Sequence, residues 1–274
     1  MKMKKLLGLG MAAILSLGMV ACSSGGEETE AANKLEAVKE SGKLVVGLSA
    51  EYPPFEFHST VDGEDKIVGV DADLAAKIAE EIGVEVEFKE MSFDGLIGAL
   101  NADKIDIILS GMSPTPEREK NVDFSDLYYV GKNIIAVQEG KEDSITSLDQ
   151  LKGMKIAVQK GSIQEGFVQE LGCESIKSLQ AIPDVMTELK NGNVDAVVVN
   201  DTVGLLSMQE MGGIVEANFK LDSSNSEEGM AAAINKKDDN AEFLEVINKV
   251  VNDFKANDFE KSLQNNIDLA TQGA

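Results

Sequence analysis

The sequence predicts an α/β fold made of two units, each a mostly parallel sheet flanked by helices. Three observations predict it. Short β-branched runs alternate with amphipathic helical stretches. The alternation pauses after Leu109 and restarts at Asn133. Segments rich in Ser, Gly, Pro and aromatic residues fall where the strands end. Strands alternating with helices require parallel pairing through right-handed crossovers. The 274 residues suffice for one large or two small domains.

The elements follow in order. Leu44-Val45-Val46-Gly47-Leu48 reads as a buried strand. Asp71 is expected to cap a helix that sets Leu74, Ala75, Ile78 and Ile82 on one face and stops at Gly83. Residues 84–88 alternate as a strand. Ser92 is expected to cap a helix carrying Phe93, Leu96, Ile97 and Leu100, and residues 105–109 form the next strand. After the restart, strands are expected at 133–137, 154–158, 176–179 and 194–199. Helices are expected at 147–152, from the Ser162/Glu165 capping box to Gly172, at 184–190 and beyond Thr202. A weak strand at 214–216, a polar loop at 222–228, the apolar run 229–234 and two amphipathic helices near 240–255 and 257–265 complete the chain.

Composition narrows function. The net charge is −23 and Trp is absent, which leaves neither basic patches nor aromatic platforms for nucleic acid. No second segment is long and apolar enough to span a bilayer. The N-terminus pairs a basic start, Lys2, Lys4 and Lys5, with an apolar run from Leu6 to Val20, the pattern of an export leader over residues 1–21. Removing the leader leaves 22 basic against 48 acidic residues, a charge near −26. Met19-Val20-Ala21-Cys22 resembles a bacterial lipobox. That implies lipid attachment at Cys22 and a flexible, lipid-anchored tether over 22–36, on the extracytoplasmic face of the cell membrane. Cys173, the other cysteine, is expected to be an inert buried thiol.

Ligands of open parallel sheets bind beyond the carboxyl ends of the strands. The segments found there carry Glu51, Tyr52, Ser92, Phe93, Ser110, Gly111, Ser113, Arg118, Ser162, Asn200 and Asp201. Small hydroxyls and free backbone N–H groups suit a polar solute. The helix start at Ser162 offers donors to an anion. Enzyme signatures are missing: there is no G-x-S-x-G, Walker A, C-x-x-C or H-E-x-x-H, and the one histidine, His58, reads as a solvated loop residue. No enzyme activity, cofactor or metal is expected.

At these loops the chain resembles the polar amino-acid family of bacterial ABC-transporter solute-binding proteins, in its lipoprotein form. The resemblance is carried by Tyr52-Pro53-Pro54-Phe55-Glu56-Phe57 and Gly69-Val70-Asp71-Ala72-Asp73-Leu74, and by Ser110-Gly111-Met112-Ser113 with Thr115 and Glu117-Arg118. Gln159-Lys160-Gly161-Ser162-Ile163-Gln164-Glu165 and Gly192-Asn193-Val194-Asp195-Ala196 continue it, over nearly all of the mature chain. It implies a two-lobed clamshell of the type II periplasmic-binding-protein kind, with two crossing strands near 129–132 and 228–230. Lobe 1 would take residues 37–130 and 230–274, and lobe 2 residues 131–229. It implies a monomer that binds an amino acid between its lobes and docks on a permease and ATPase complex. In that frame Arg118 grips the α-carboxylate, as a planar fork can do bidentately. Ser110, the Gly111 backbone and Ser113 hydrogen-bond the carboxylate and ammonium. Tyr52 and Phe93 sandwich the side chain, while Ser162, Ile163 and Gln164 complete the carboxylate clamp. The family's usual Asp for the ammonium is Asn200 here, followed by Asp201, so either could serve, with Glu51 as another cation partner. The same clamshell in a cyclic-acid dehydratase, or in a sensory or structural lipoprotein, is the competing reading.

Overall fold

The computed structural model describes residues 33–222, 227–237 and 240–272. The expected leader, the Cys22 lipidation site and most of the tether lie outside the described residues. The tether's expected end is corrected. Helix α1, Lys34–Ser41, starts there because Asn33 accepts from the Glu36 N–H at 3.0 Å and Leu35 and Val38 are buried.

Strands β1 (Lys43–Leu48), β5 (Glu85–Glu90) and β6 (Ile107–Ile108) pair in parallel, with β1 in the middle. Helix α2 (Val70–Ile82) lies between β1 and β5 along the chain, and a 3-10 turn at Phe93–Gly95 followed by α3 (Leu96–Asn101) lies between β5 and β6. Between β1 and α2 lie β2 (Glu51–Tyr52), β3 (Glu56–Val61) and β4 (Glu64–Val68), an antiparallel unit of its own. Its β3–β4 turn is Asp62-Gly63, both at positive φ, 55° and 80°.

The two halves are joined by β7 (Val122–Gln138), 17 residues and about 55 Å long. From Val122 to Lys132 it pairs antiparallel with β12 (Glu227–Asn235), which in turn pairs with β6. From Asn133 onward it pairs with β10 (Ala196–Asn200) and β11 (Ile214–Glu216). Strands β8 (Lys155–Gln159) and β9 (Ser175–Leu179) extend that second sheet in parallel with β10. The order is β5-β1-β6-β12-β7-β10-β8-β9, with β11 on β7. We call the halves on either side of the Lys132/Asn133 passage the first and second lobes.

Helices α4 (Leu148–Lys152), α5 (Ile163–Leu171), α6 (Ile182–Lys190) and α7 (Asp201–Met211) cover the second sheet. The closing helices, α8 (Ala241–Asn257) and α9 (Phe259–Gln272), return to the first lobe. Phe243, Ile247, Val251 and Phe254 of α8 are buried there, and Ser262 and Asn266 of α9 donate to Asp73 at 2.6 and 3.0 Å. Each fully buried aliphatic or aromatic side chain contributes about 1.5–3 kcal/mol.

Three expectations change. Asp71 does not cap α2: the cap position is Gly69, at φ 131°, where an added Cβ would lie 2.0 Å from the Phe55 carbonyl oxygen. Asp71 is instead the second residue of the helix, wholly buried. His58 lies on β3 and not in a loop; it is exposed to solvent as expected, but paired with Asp65 and Glu90 at 3.1 and 3.0 Å. Cys173 is half-buried, because the turn after α5 leaves it at the edge of the second lobe's core.

Candidate functional site

A narrow cleft opens between the lobes at the carboxyl ends of β1, β6 and β8. It is lined by Tyr52, Glu56, Phe93, Ser110, Gly111, Ser113, Arg118, Gln159, Ser162, Ile163, Gln164 and Glu228; about 290 Å³ there is free of protein atoms once the open solvent at the mouth is counted, while the cavity proper is tight, about 10 Å³.

The loop after β6 turns back as a 3-10 segment at Arg118–Lys120 and aims Arg118 into this space. Its Nη1 donates to the Ser113 carbonyl at 2.7 Å, within its own lobe. Its Nη2 donates to the Gly161 carbonyl at 2.9 Å, on the other lobe. The guanidinium carbon lies 5.4 Å from the centroid of the Phe93 ring, close enough for a cation–π contact. Burial pulls its pKa down to about 10, so it stays charged at neutral pH, with Glu228 acting the other way. Two of the five N–H donors of the fork are used. A second interlobe link, Lys160 Nζ to Asp94 Oδ2 at 2.7 Å, stands beside it.

Opposite Arg118, β12 delivers Glu228, 3% exposed. Asn200 Nδ2 and Gln164 Nε2 both donate to its Oε2, at 3.0 and 3.3 Å. Gln164 also donates to Asn133 at 2.6 Å. Burial raises the Glu228 pKa to about 7, against the pull of these two amides. Sequence reasoning placed Glu228 only near a strand crossing and gave it no role.

The floor holds a second acidic feature that the sequence did not announce. Ser110 Oγ donates to Glu56 Oε1 at 2.8 Å and accepts from the Ser49 N–H at 3.0 Å. Gly111 N–H and Tyr128 OH donate to Asp71 Oδ2 at 2.8 and 3.0 Å. That leaves Glu56 Oε2 and Asp71 Oδ1 as buried oxygens with no donor among the described residues. The two carboxyls interact with each other, and a single proton on Glu56 would satisfy both oxygens. Burial raises both pKa values, and the Asp71 charge raises that of Glu56 further.

Residues 44–266 match the bacterial extracellular solute-binding proteins, family 3. The chain belongs to that family. The arginine-binding extracellular protein ArtP of Bacillus subtilis (strain 168) is 36% identical over 261 residues, 93% of this chain and 94% of that protein. A probable histidine-binding protein of Campylobacter jejuni is 32% identical over 261 residues, 95% of this chain and 97% of that protein. Among solved structures, the amino acid ABC transporter substrate-binding protein AbpA of Streptococcus pneumoniae Canada MDR_19A, bound to L-arginine, superposes with a TM-score of 0.81. It is 34% identical and covers 86% of this chain and 98% of its own. Its fold, and that of its relatives, is the two-lobed α/β clamshell that the β7 and β12 crossings build here.

Of the site residues read from the sequence of this solute-binding protein, Arg118, Tyr52, Phe93, Ser110, Gly111, Ser113, Ser162, Ile163 and Gln164 all line the cleft. Three do not. Asn200 is wholly buried behind it: its Oδ1 accepts from the Thr202 and Val203 N–H groups, capping α7. Asp201 accepts from Thr202 N–H at 2.8 Å and from Tyr129 OH at 3.3 Å. Glu51 stands exposed on β2, in an outer groove shared with Asp184 and Glu210. Its pKa is raised by partial burial and then by Asp184 and Glu90. The Gly111 N–H, expected to hold a ligand, is given to Asp71. Ser162 spends its hydroxyl accepting from the Glu165 N–H at 3.1 Å, and Glu165 reaches back to the Gly161 N–H, one residue off the usual capping box.

Proposed function

We propose that this protein captures an L-α-amino acid with a cationic side chain, arginine first, between its two lobes and delivers it to the permease of an ABC importer. Arg118 carries the reading. A guanidinium held over an aromatic ring, with one arm on each lobe, is placed to receive a carboxylate as the cleft shuts. The bidentate geometry favours carboxylate over other anions. The names of the relatives support arginine, and the acidic outer groove around Glu51 and Asp184 suits a cationic side chain beyond the cleft.

Closure follows from differential contact. Arg118 and Phe93 belong to the first lobe; Gln159, Ser162, Ile163 and Gln164 belong to the second. A solute touching both sets is held better in the closed form, and only that difference shifts the equilibrium. The closed form then docks on the membrane complex as a monomer. Lipid at Cys22 keeps it at the extracytoplasmic face. Among the described residues no helix is long and apolar enough to cross a membrane.

The test is a thermal-shift screen of the twenty L-amino acids, followed by calorimetry. A ligand at a hundred times its Kd adds about 2.7 kcal/mol, a rise of about 5–10 °C for a domain of this size. L-arginine is expected to give the largest rise. No rise with any amino acid would overturn the proposal.

A further inference from the structure

We propose that Glu228, on the crossing strand β12, is the group that recognises the ligand's α-ammonium in this protein. The inference rests on the amino-acid reading above and assigns to Glu228 the part that the resemblance gives to the position of Asn200.

Elimination and geometry both point there. Asn200 is neutral, its only acceptor caps α7, and what it presents to the cleft side is a donor, Nδ2, already directed at Glu228. A donor cannot receive an ammonium. Asp201 is turned toward Tyr129 and its own helix. Glu56 lines the cavity but accepts from Ser110 and interacts with the buried Asp71; its own burial and then the Asp71 charge raise its pKa and keep it from the charged form. Glu228 is the remaining carboxyl of the cavity wall, 97% withdrawn from solvent at 3% exposure, and its described hydrogen bonds converge on one oxygen, Oε2. Two neutral amides offset only part of the cost of burying a carboxylate. A cation beside it would supply the rest. With Arg118 across the same cavity, the pair matches a zwitterion: guanidinium for the carboxylate, carboxylate for the ammonium.

Two consequences follow. A solute with the acid but without the α-amine loses its partner at Glu228 and should be rejected. Burial holds Glu228 near pH 7, with Asp201 and Tyr52 as further titratable neighbours and Arg118 as the opposing charge. An arriving ammonium favours the ionised form, so binding below neutrality expels a proton.

The experiment is calorimetry on wild type and Glu228→Gln with L-arginine and with 5-guanidinopentanoate, which is arginine lacking the α-amine. We expect Glu228→Gln to weaken L-arginine by about a hundredfold or more and 5-guanidinopentanoate by under about threefold, because the substitution removes what only the amine contacts. Equal losses for both ligands, or L-arginine within about threefold of wild type, would overturn the assignment. A readout on wild type alone guards against a folding defect in the variant. At pH 6, titrations in two buffers of different ionisation enthalpy should show close to one proton released per L-arginine, and no release would overturn it equally. Wild type silent toward all twenty L-amino acids would instead sink the function proposed above, and this inference with it.

Discussion

Gly161→Ala separates closure from folding. Gly161 sits at φ +78°, and a Cβ there would lie 2.9 Å from the Asp94 Cβ and 3.1 Å from its Cα, across the cleft. The backbone strain, about 1–2 kcal/mol for an L-residue in the left-handed region, is present whether the cleft is open or closed. It therefore lowers the unliganded Tm by a few degrees and cancels from binding. The clash exists only when the lobes meet. Asp94 cannot yield easily, since its backbone lies in the 3-10 turn that starts at Phe93 and its carboxylate is fixed to Lys160. Ordinary carbon–carbon contact is about 3.5–4.0 Å, so the lobes must part by a sizeable fraction of an ångström. That would loosen both the Arg118–Gly161 bond and the Lys160–Asp94 pair. Overpacking of this kind costs about 1–3 kcal/mol, which is about 5- to 150-fold in affinity. Calorimetry with L-arginine reads the affinity, and a melting curve without ligand reads the strain. A Tm that falls while affinity stays within about twofold would refute the claim that this contact forms on closure.

Two further outcomes are expected. Arg118→Ala removes the fork and leaves the ligand's acid group poorly paired in a buried cleft, a loss of about 3–5 kcal/mol and hence about a hundred- to several-thousand-fold in amino-acid affinity; binding within about tenfold of wild type would contradict it. Glu56→Gln tests the shared proton. Both carboxyls have raised pKa values in the fold, so the folded state binds protons the unfolded chain has released. That stability is fully present below the unfolded pKa values and fades as pH rises through the folded ones. A Gln amide keeps a donor toward Asp71 and an acceptor for Ser110 but holds no titrating proton. Between about pH 5 and 7 its stability should therefore fall with pH less steeply than wild type, by about 1.4 kcal/mol per unit for one proton. Parallel slopes in chemical denaturation would rule the shared proton out.

What the sequence revealed and concealed divides along local and non-local physics. The helices α2, α5 and α6 and the strands β1, β8 and β10 were legible because periodicity and end signals are local. The β3–β4 hairpin is equally legible, since Asp-Gly is a strong two-residue turn signal. Helix α1 carried its own markers, Asn33 at one end and Gly42 in the left-handed region at the other, hidden by the expectation of a tether. The length of β7 was not legible. Residues 122–132 pair with β12, about a hundred positions later, and nothing nearby reports such pairing. Asp71 shows the same limit: an acid near a helix start looks like a cap, while its true partners, Gly111 and Tyr128, are 40 and 57 residues away.

Glu228 is the sharpest case, and it bears on how the site works. In the sequence it ends a polar loop, and its only signal is parity with Met230, two residues on, along the apolar run of β12. In the structure that parity turns both side chains inward. The residue thus belongs to neither lobe's ligand loops but to a strand that runs between them, pairing with β7 where β7 changes sheets. Its amide partners, Gln164 and Asn200, are both second-lobe residues, while the charge it faces, Arg118, belongs to the first. A cation settling on Glu228 would therefore be fixed to the crossing itself, and the second lobe's amides would follow it. Holding the ammonium at the hinge and the carboxylate at the closing edge makes both ends of one small molecule necessary for the closed form, which a carboxylate grip by Arg118 alone would not do.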